Sequence, residues 1–330
     1  MSADTVPGVA APRSPMEGVA FLYAGQGSQK AGMGRDLRDA HPAFRRAFEA
    51  VDPSGDIARL CFDATQEELS LTHNTQPAMV AFSIAVTALL DGYGIRPMMA
   101  AGLSLGEYSA LCAAGVLEPL QAVELVRFRG SAMERATRGR ACGMAAVLGL
   151  GSAEVADICR RVREGGVGTV EPANINGPRQ IVISGDGAAV ACAAESALEA
   201  GALRCVPLQV SGAFHTSLMR SAGDELRERF ATERFGSPWI PVVFNATGTV
   251  LQPGQTVPGL LERQVQSSVL FHQTVQCLVG AGVRTVIEVG PGRVLSKLVR
   301  KIDQSLEVLN VEDEKSLVRT LKALEGGRRA

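Results

Sequence analysis

Short apolar runs alternate with amphipathic stretches over most of the chain. Residues 19–24 and 97–103 are apolar runs that lead into glycine-containing turns, a pattern typical of buried strands in a parallel sheet. Apolar residues recur at helical spacing over residues 33–51 and again over residues 78–93, where Pro77 suits the first turn of a helix. This alternation predicts an α/β fold with a parallel sheet.

The pattern changes between about residues 141 and 207. The elements predicted there are a strand at 144–148, a helix at 152–163, strands at 168–173 and 180–184, a helix at 187–200 and a strand at 204–207. This β-α-β-β-α-β order is that of a ferredoxin-like unit. The α/β pattern then resumes, with helices at 216–230, 259–267 and 271–281 and strands at 242–244 and 285–289. We therefore predict a large α/β domain, residues 19–140 and 208–330, with a small domain, residues 141–207, inserted into it.

Composition argues against several classes of function. The 330 residues are 46% apolar and 20% charged with a net charge of -1, so no bulk positive charge indicates a nucleic-acid partner. The seven cysteines are never spaced C-x-x-C, which argues against disulfides and zinc and favours a reducing cytoplasm. Residues 1–18 lack the apolar segment of a secretory signal and are predicted to be a disordered tail, and residues 78–90 are too short for the roughly 20 residues of a membrane span. We expect a cytoplasmic protein with no metal and no membrane partner, and a monomer by default.

The sharpest chemical signal is the run Gly-Leu-Ser-Leu-Gly at positions 102–106. It follows a predicted strand and precedes a predicted helix, which is the context of the G-x-S-x-G nucleophile elbow. The glycines let the chain turn tightly, Ser104 is held out at the end of the sheet, and the N–H of Leu105 faces the oxyanion that develops during attack. The alternative is a Gly/Ser turn without chemistry, and the flanking strand and helix favour the elbow. The motif alone does not separate a hydrolase from a transferase.

A serine hydroxyl needs a base within hydrogen-bond reach, and the chain has four histidines, His41, His73, His215 and His272. His215 follows a strand-like run and a glycine turn and opens the next helix, which suits a side chain presented to a cleft. The other three favour surface or packing roles. No acidic residue is an obvious third member of a triad.

A second glycine turn, Gly-Gln-Gly-Ser-Gln at positions 25–29, follows the first predicted strand. A dinucleotide fingerprint would need a third glycine where Lys30 stands, so that interpretation fails. We interpret the turn as the source of a second oxyanion donor, the backbone N–H of Gln26.

These motifs occur together with several others in a recognisable order. The others are Thr-Gln-Pro-Ala at 75–78, Arg-Gly at 129–130, Asn-x-Asn at 174–176, Phe-His at 214–215 and Glu-Val-Gly-Pro-Gly at 288–292. In this order the chain resembles the malonyl-CoA:acyl carrier protein transacylases over about residues 19–302. The resemblance implies an α/β-hydrolase-like large domain with a parallel sheet and an inserted ferredoxin-like small domain. It also implies transfer of a malonyl group from malonyl-CoA to the phosphopantetheine thiol of acyl carrier protein, for fatty acid synthesis, without a cofactor.

The resemblance assigns roles to the matching positions. Ser104 is the nucleophile of a ping-pong reaction and His215 is its base, oriented by backbone carbonyls. The remaining residues of the implied site are the oxyanion donors Gln26 and Leu105, the carboxylate-binding Arg129, and Gln264, Phe214, Asn174 and Asn245 around the substrate. A planar guanidinium can grip a carboxylate with two parallel bonds, and the ring of Phe214 is expected to exclude an α-methyl branch. Leu103 departs from the family, which usually has histidine there, so that side chain offers the acyl group no polar contact.

Three alternative functions stay open at this level. The first is a polyketide synthase acyltransferase that acts in trans on its carrier. The second is an α/β-hydrolase-type thioesterase or esterase, which would require an acidic triad member. The third is a degenerate carrier-binding scaffold, which the retained serine and histidine disfavour. A basic helix face, formed by Arg293, Lys297, Arg300 and Lys301, is either a docking face for an acidic carrier or an ordinary solvated face.

Overall fold

The structure, a computed structural model, describes residues 14–208 and 212–327. Its strands are β1 (Met16–Tyr23), β2 (Pro97–Gly102), β3 (Cys142–Leu148), β4 (Val170–Gly177), β5 (Gln180–Asp186), β6 (Arg204–Leu208), β7 (Val242–Phe244), β8 (Thr249–Val250), β9 (Thr285–Val289) and β10 (Glu307–Val311). Its α-helices are α1 (Arg35–Ala40), α2 (Pro42–Ala50), α3 (Asp56–Phe62), α4 (Gln66–Leu69), α5 (Thr72–Gly92), α6 (Gly106–Ala113), α7 (Pro119–Ala136), α8 (Ser152–Glu164), α9 (Gly187–Glu199), α10 (Arg220–Phe230), α11 (Val257–Val265), α12 (Phe271–Gly280), α13 (Val294–Ile302) and α14 (Glu314–Gly327). Of the predicted N-terminal tail, residues 1–13 lie outside the described residues, and the first strand already begins at Met16.

Six strands form the larger sheet, in the order β10-β9-β1-β2-β7-β8. Neighbouring strands are parallel except β7 and β8, which are antiparallel. β1 lies inside the sheet and is buried from Gly18 onward, as expected of a strand covered on both faces. The predicted parallel sheet is confirmed.

Four strands form the second sheet, in the order β4-β5-β3-β6, and every neighbouring pair is antiparallel. With α8 and α9 as connections, the chain order is β3-α8-β4-β5-α9-β6, which is the predicted ferredoxin-like unit. The fold class is therefore confirmed. The elements of this sheet span residues 142–208, and the exact domain boundaries stay a prediction.

The helix predicted over residues 33–51 is two helices, α1 and α2. His41 between them is extended, with φ -121°, because the ring of Pro42 disfavours a helical conformation in the residue before it. Several elements have no predicted counterpart, namely the short α3, α4 and β8 and the C-terminal pair β10 and α14. The apolar patterns of α3, α4, β8 and β10 are too short or too weak to stand out from the flanking loops, whereas α14 is a 14-residue amphipathic helix that the sequence analysis left out.

The apolar stretch at residues 78–90 lies in α5 and is buried over most of its length, as predicted. The helix begins earlier than expected, at Thr72, so that Pro77 lies inside it. Thr75 holds this first part in place, because its hydroxyl donates to the main-chain oxygen of Leu69 at 2.5 Å. Within the part of the chain that the structure describes, no helix is both long and apolar enough to cross a membrane.

The sheet order brings the two glycine turns together. β1 and β2 are parallel neighbours, with Tyr23 opposite Gly102, so both turns leave the same edge of the sheet. The N–H of Leu103 donates to the main-chain oxygen of Tyr23 at 3.0 Å. A Cβ on Gly25 would lie 2.5 Å from the main-chain oxygen of Leu103, so only glycine allows this close approach.

Candidate active site

The 102–106 turn has the geometry of a nucleophile elbow. Ser104 has a φ of 52°, a left-handed conformation that a non-glycine residue rarely adopts. The flanking glycines are required by space, since a Cβ on Gly102 would lie 2.0 Å from the carbonyl carbon of Gly106, and one on Gly106 would lie 2.1 Å from the main-chain oxygen of Tyr23. The turn therefore presents the serine side chain at the start of α6.

His215 reaches this serine. Its Nε2 lies 2.7 Å from the Oγ of Ser104, and its Nδ1 lies 2.8 Å from the main-chain oxygen of Gln264. A carbonyl oxygen only accepts, so Nδ1 carries the proton and Nε2 is left to accept the proton of the serine hydroxyl. No carboxylate is needed to fix this tautomer. Of the four histidines, the structure brings the predicted one to the serine.

Burial and charge keep this imidazole neutral. The side chain of His215 is buried, and its burial, together with the positive charge of Arg129, lowers its pKa to about 4. His215 also has a left-handed backbone, with φ 60°. At neutral pH the ring is therefore ready to accept a proton rather than already protonated.

Arg129 projects from α7 to the same hydroxyl and is only 1% exposed. One guanidinium nitrogen, Nη2, donates to Ser104 Oγ and to Gln264 Oε1, each at 3.0 Å, and the other, Nη1, donates to Gln76 Oε1 at 3.0 Å. Burial lowers the pKa of this group, and the nearby Tyr108 counteracts part of that effect. The guanidinium is thus held by neutral amide oxygens beside the serine.

Gln76 was given no role by the sequence analysis. Its side chain is fully buried, and besides accepting from Arg129 it donates from Nε2 to Gln26 Oε1 at 3.4 Å. Gln26 in turn donates to the hydroxyl of Thr72 at 3.1 Å. The resemblance gave the 75–78 motif no role. In the structure its Gln76 connects Arg129 to the glycine turn at 25–29.

Asn245 lies behind the elbow rather than in the cavity. Its Oδ1 accepts from Ser104 N at 2.5 Å, and its Nδ2 donates to the main-chain oxygen of Gly102 at 2.7 Å. Its own N–H donates to Glu107 Oε2 at 2.6 Å. Both ends of the carboxamide are used within the protein, so this geometry does not support the predicted substrate contact. Asn245 instead braces the left-handed serine.

Glu107 is a second residue that the sequence analysis missed. Its carboxyl group is fully buried, and burial raises its pKa to about 8, although the bond from Asn245 and the charge of Arg129 act in the opposite direction. The signal was present in the chain, because a glutamate directly after a G-x-S-x-G turn lies in the first turn of the following helix.

A cavity of about 1050 Å³ opens above the serine and is lined from both sheets. Six of the predicted site residues line it, namely Gln26, Ser104, Arg129, Asn174, Phe214 and His215. Gln264 is fully buried below this surface, where its Nε2 donates to the main-chain oxygen of Ser104 at 2.9 Å. Gln264 therefore supports the serine, the histidine and the arginine from behind.

The N–H groups of the two predicted oxyanion donors are unpaired in the described part of the chain. Among residues 14–208 and 212–327, no acceptor lies within hydrogen-bond reach of the N–H of Gln26 or of Leu105. Both residues belong to turns at the same edge of the sheet, and Leu105 stands at the start of α6. Such unpaired donors at a helix start suit an anionic oxygen.

Two other predicted features have structural explanations. The carboxylate of Glu288 is buried and accepts from Ser296 N at 2.7 Å, so the 288–292 motif caps α13 rather than entering the site. On the basic helix face, Arg293 pairs with Glu312 at 3.6 Å and Arg300 donates to the main-chain oxygen of Val308 at 3.1 Å. Docking at this face stays a prediction. No group of three His, Cys, Asp or Glu side chains in the described ranges is arranged to hold a metal ion.

Comparison with known proteins agrees with this geometry. Residues 20–325 match the family described as acyl transferase domain. The malonyl CoA-acyl carrier protein transacylase of Bacillus subtilis (strain 168) is 40% identical over 312 residues, which cover 94% of this chain and 98% of that protein. The crystal structure of malonyl CoA-acyl carrier protein transacylase from Clostridium perfringens is similar with a TM-score of 0.90 and 36% identity, over 94% of this chain and 98% of that one. A malonyl-transacylase solved in complex with its type II PKS acyl-carrier protein has a TM-score of 0.88 and 38% identity, over 92% and 99% of the two chains.

Proposed function

The chain belongs to the acyl transferase family, and from that premise we propose that it transfers a malonyl group from malonyl-CoA to the phosphopantetheine thiol of an acyl carrier protein. The transfer proceeds through an ester on Ser104, in two successive half-reactions. The observation that carries the proposal is the 2.7 Å contact between Ser104 Oγ and His215 Nε2, with Arg129 Nη2 3.0 Å from the same oxygen. A nucleophile, its base and a carboxylate-binding group thus converge on one atom.

In the first half-reaction Ser104 Oγ attacks the thioester carbonyl while its proton passes to His215 Nε2. The carbonyl oxygen becomes an oxyanion, which the N–H groups of Gln26 and Leu105 receive. The C–S bond then breaks, and the imidazolium returns its proton to the departing coenzyme A thiolate. The products are malonyl-Ser104 and coenzyme A, and His215 is neutral again.

In the second half-reaction the terminal thiol of the carrier's phosphopantetheine gives its proton to His215 and attacks the ester. The same donors stabilise the second tetrahedral intermediate. The C–O bond breaks, and the proton on the imidazolium returns to Ser104 Oγ. The carrier leaves as a malonyl thioester, and the enzyme needs neither a cofactor nor a metal for these steps.

Selection of malonyl follows from the charge of Arg129. Within the described ranges the buried guanidinium of Arg129 makes no ion pair. It therefore favours an acyl group that brings a carboxylate, because the pair satisfies both charges in a region of low dielectric constant. Gln76 and Gln264 hold the guanidinium in place through neutral oxygens, so its charge is left for the substrate. Phe214 lines the same cavity and is proposed to exclude an α-methyl branch.

The alternative functions are weaker on specific grounds. A hydrolase triad would place a carboxylate at His215 Nδ1, where this chain has the main-chain oxygen of Gln264. A scaffold would not need the strained Ser104. A type II PKS carrier is the second candidate acceptor, because one similar enzyme was solved with such a carrier. We propose fatty acid synthesis in the cytoplasm as the setting, a monomer as the active form, and domain boundaries near residues 140 and 208.

Intact-mass measurement after mixing with malonyl-CoA tests the proposal. We expect a stable malonyl adduct on the wild type, none on Ser104→Ala, and discharge of the adduct by holo acyl carrier protein. Ser109→Ala changes a buried serine on α6, the helix that follows Ser104; it is the matched control and should still load. Rapid return to unmodified protein with release of free malonate would point to a hydrolase, and the absence of any adduct would point to a scaffold.

A further inference from the structure

The cavity is larger than the acyl group requires. At about 1050 Å³ it matches the pockets that hold whole drug-sized ligands, whereas a malonyl group has only a handful of heavy atoms. The cavity extends from Ser104 to the loop that joins α7 to β3, where Arg138 and Arg140 line it. The far end therefore has room for the part of the substrate that carries the thioester.

That far end carries positive charge. Arg138 is exposed, and within the described ranges its guanidinium makes no ion pair. Arg140 is anchored by Asp186 at 2.6 Å, and Gly139 between the two arginines has a φ of 77°, which shapes the loop. Glu134, the carboxylate that also lines this end, is already paired with His73 at 2.9 Å. An anion at the mouth would thus meet the guanidinium of Arg138.

The separation suits a pantetheine arm. Arg129 lies beside the serine, α7 runs on from it to Ala136, which corresponds to roughly 10 Å of helix rise, and Arg138 follows two residues later at the mouth. Pantetheine has about the backbone length of five extended residues, or roughly 17 Å. A thioester at Ser104 therefore places the phosphate at the end of the arm near the mouth.

A buried amide that lines the same cavity points to a ligand independently. Asn176 on β4 is 9% exposed and lines the cavity, and its Oδ1 has no hydrogen-bond partner in the described part of the chain. A buried acceptor without a donor is costly, and ligands often supply the missing group. The amide N–H groups of pantetheine are donors of the required kind.

We propose that Arg138 binds the phosphate at the end of the 4'-phosphopantetheine arm, and that Asn176 Oδ1 accepts a hydrogen bond from one of its amides. This phosphate is common to coenzyme A and to the holo carrier, so one cation serves both half-reactions. The inference rests on the proposed function and deepens it by naming how donor and acceptor are recognised.

The test compares three malonyl donors, malonyl-CoA, malonyl-phosphopantetheine and malonyl-pantetheine, by the rate of Ser104 loading. We expect Arg138→Glu to raise KM for the two phosphate-bearing donors roughly tenfold, with kcat nearly unchanged, and to leave KM for malonyl-pantetheine unaltered. Arg138→Gln should give a smaller change of the same pattern. Arg46→Glu, an exposed arginine on α2 that does not line the cavity, is the matched control and should change none of the three.

Two further arms complete the experiment. Asn176→Leu should raise KM for all three donors, because each has the amides, and Arg138→Glu should slow discharge of malonyl-Ser104 by holo carrier but not by free pantetheine. Equal changes for all three donors with Arg138→Glu, or no change, would overturn the phosphate contact. A change with malonyl-CoA but not with the carrier would overturn the shared recognition. Failure of the proposed function itself would look different, because wild-type enzyme would then load from none of the donors.

Discussion

Two turns at the same edge of the larger sheet connect a parallel strand to a helix, one after β9 and one after β2. After β9 the chain enters α13, and the buried carboxylate of Glu288 accepts from Leu295 N at 3.0 Å and from Ser296 N at 2.7 Å. After β2 the chain enters α6, and throughout the described residues the N–H of Leu105 meets no acceptor. At α13 a side chain caps the helix start, whereas at α6 the N–H groups of Gly106, Glu107 and Tyr108 donate to main-chain oxygens and, among the described residues, only the N–H of Leu105 stays unpaired there.

The difference shows how the same kind of strand-to-helix turn can be structural at one place and reactive at another. The first N–H groups of a helix must bind a side chain, water or a ligand. Glu288 takes that place at α13, which makes its turn structural. The buried carboxyl group near the elbow, Glu107, accepts from Asn245 N at 2.6 Å instead, and Asn245 Oδ1 accepts from Ser104 N, so this carboxyl group braces the elbow and does not bind the N–H of Leu105. The direction of one carboxylate therefore separates the two turns.

The largest expected effect is a loss of reaction rate at the elbow. His215→Ala removes the acceptor of the serine proton and should slow malonyl loading by roughly 10²- to 10⁴-fold. The melting temperature should stay close to that of the wild type. His272→Ala, a histidine outside the cavity, is the control and should load at the wild-type rate. Equal rates for the two variants would show that His215 is not the base.

Next in size is the loss of acyl selection. Arg129→Ala should weaken the use of malonyl-CoA by about 2 to 5 kcal/mol, because the carboxylate loses a partner in a buried site. Arg135→Ala removes an exposed arginine of the same helix, paired with Glu225, and serves as the control. Competition between malonyl and acetyl thioesters measures the preference. Retention of the malonyl preference in Arg129→Ala would refute the assigned role.

A change in the turn after β9, which Glu288 caps, should lower the stability of the protein rather than its reaction rate. Glu288→Ala leaves the first N–H groups of α13 without an acceptor and should lower the free energy of unfolding by about 2 kcal/mol. Glu288→Gln keeps one acceptor oxygen and should lose less. Denaturant titration measures the effect, and kcat/KM of the folded fraction should stay close to that of the wild type. A large loss of kcat/KM at unchanged stability would give this turn a part in the reaction.

The smallest expected effect is a shift in pH dependence. Burial and Arg129 lower the pKa of His215 to about 4, so loading by a neutral acetyl thioester should fall off on the acid side near that value rather than near 6.5. Arg129→Met removes a positive charge that disfavours the imidazolium, so its acid limb should move upward. The pH profile of kcat/KM, recorded for the wild type and for Arg129→Met, measures the acid limb of each protein. An acid limb at the same pH in both proteins would mean that the two groups do not interact.

The lowered pKa of His215 also makes folding stability depend on pH, and the direction of this dependence can be checked. Its pKa is lower in the folded state than in the unfolded state, so between about 6.5 and about 4 the unfolded chain binds more protons. Folding stability should therefore decrease as the pH falls through this window. His215→Ala should remove that part of the decrease.

Much of the fold was predictable because its signals are local. The turns at 25–29 and 102–106 and the β-α-β-β-α-β order of the second sheet follow from glycine positions and apolar spacing, and the structure agrees. The start of α5 was not predictable, because the hydroxyl of Thr72 accepts from Gln26, 46 positions away, a contact made in the folded protein, whereas Pro77 marked a more usual start. Apolar patterns as short as those of α3 and β8 do not rise above their surroundings.

The active site likewise has one part that the sequence predicts and another that it does not. The glycines on either side of Ser104 were enough to predict the elbow, and the family resemblance pointed to the residues around it. How these residues meet follows from the folded protein alone. Folding brings the main-chain oxygen of Gln264 to the imidazole, directs the Asn245 side chain to the backbone of the elbow and buries Glu107 behind the serine. These contacts join residues 49 to 143 positions apart, and the burial of Glu107 depends on the whole fold, so no local pattern encodes them.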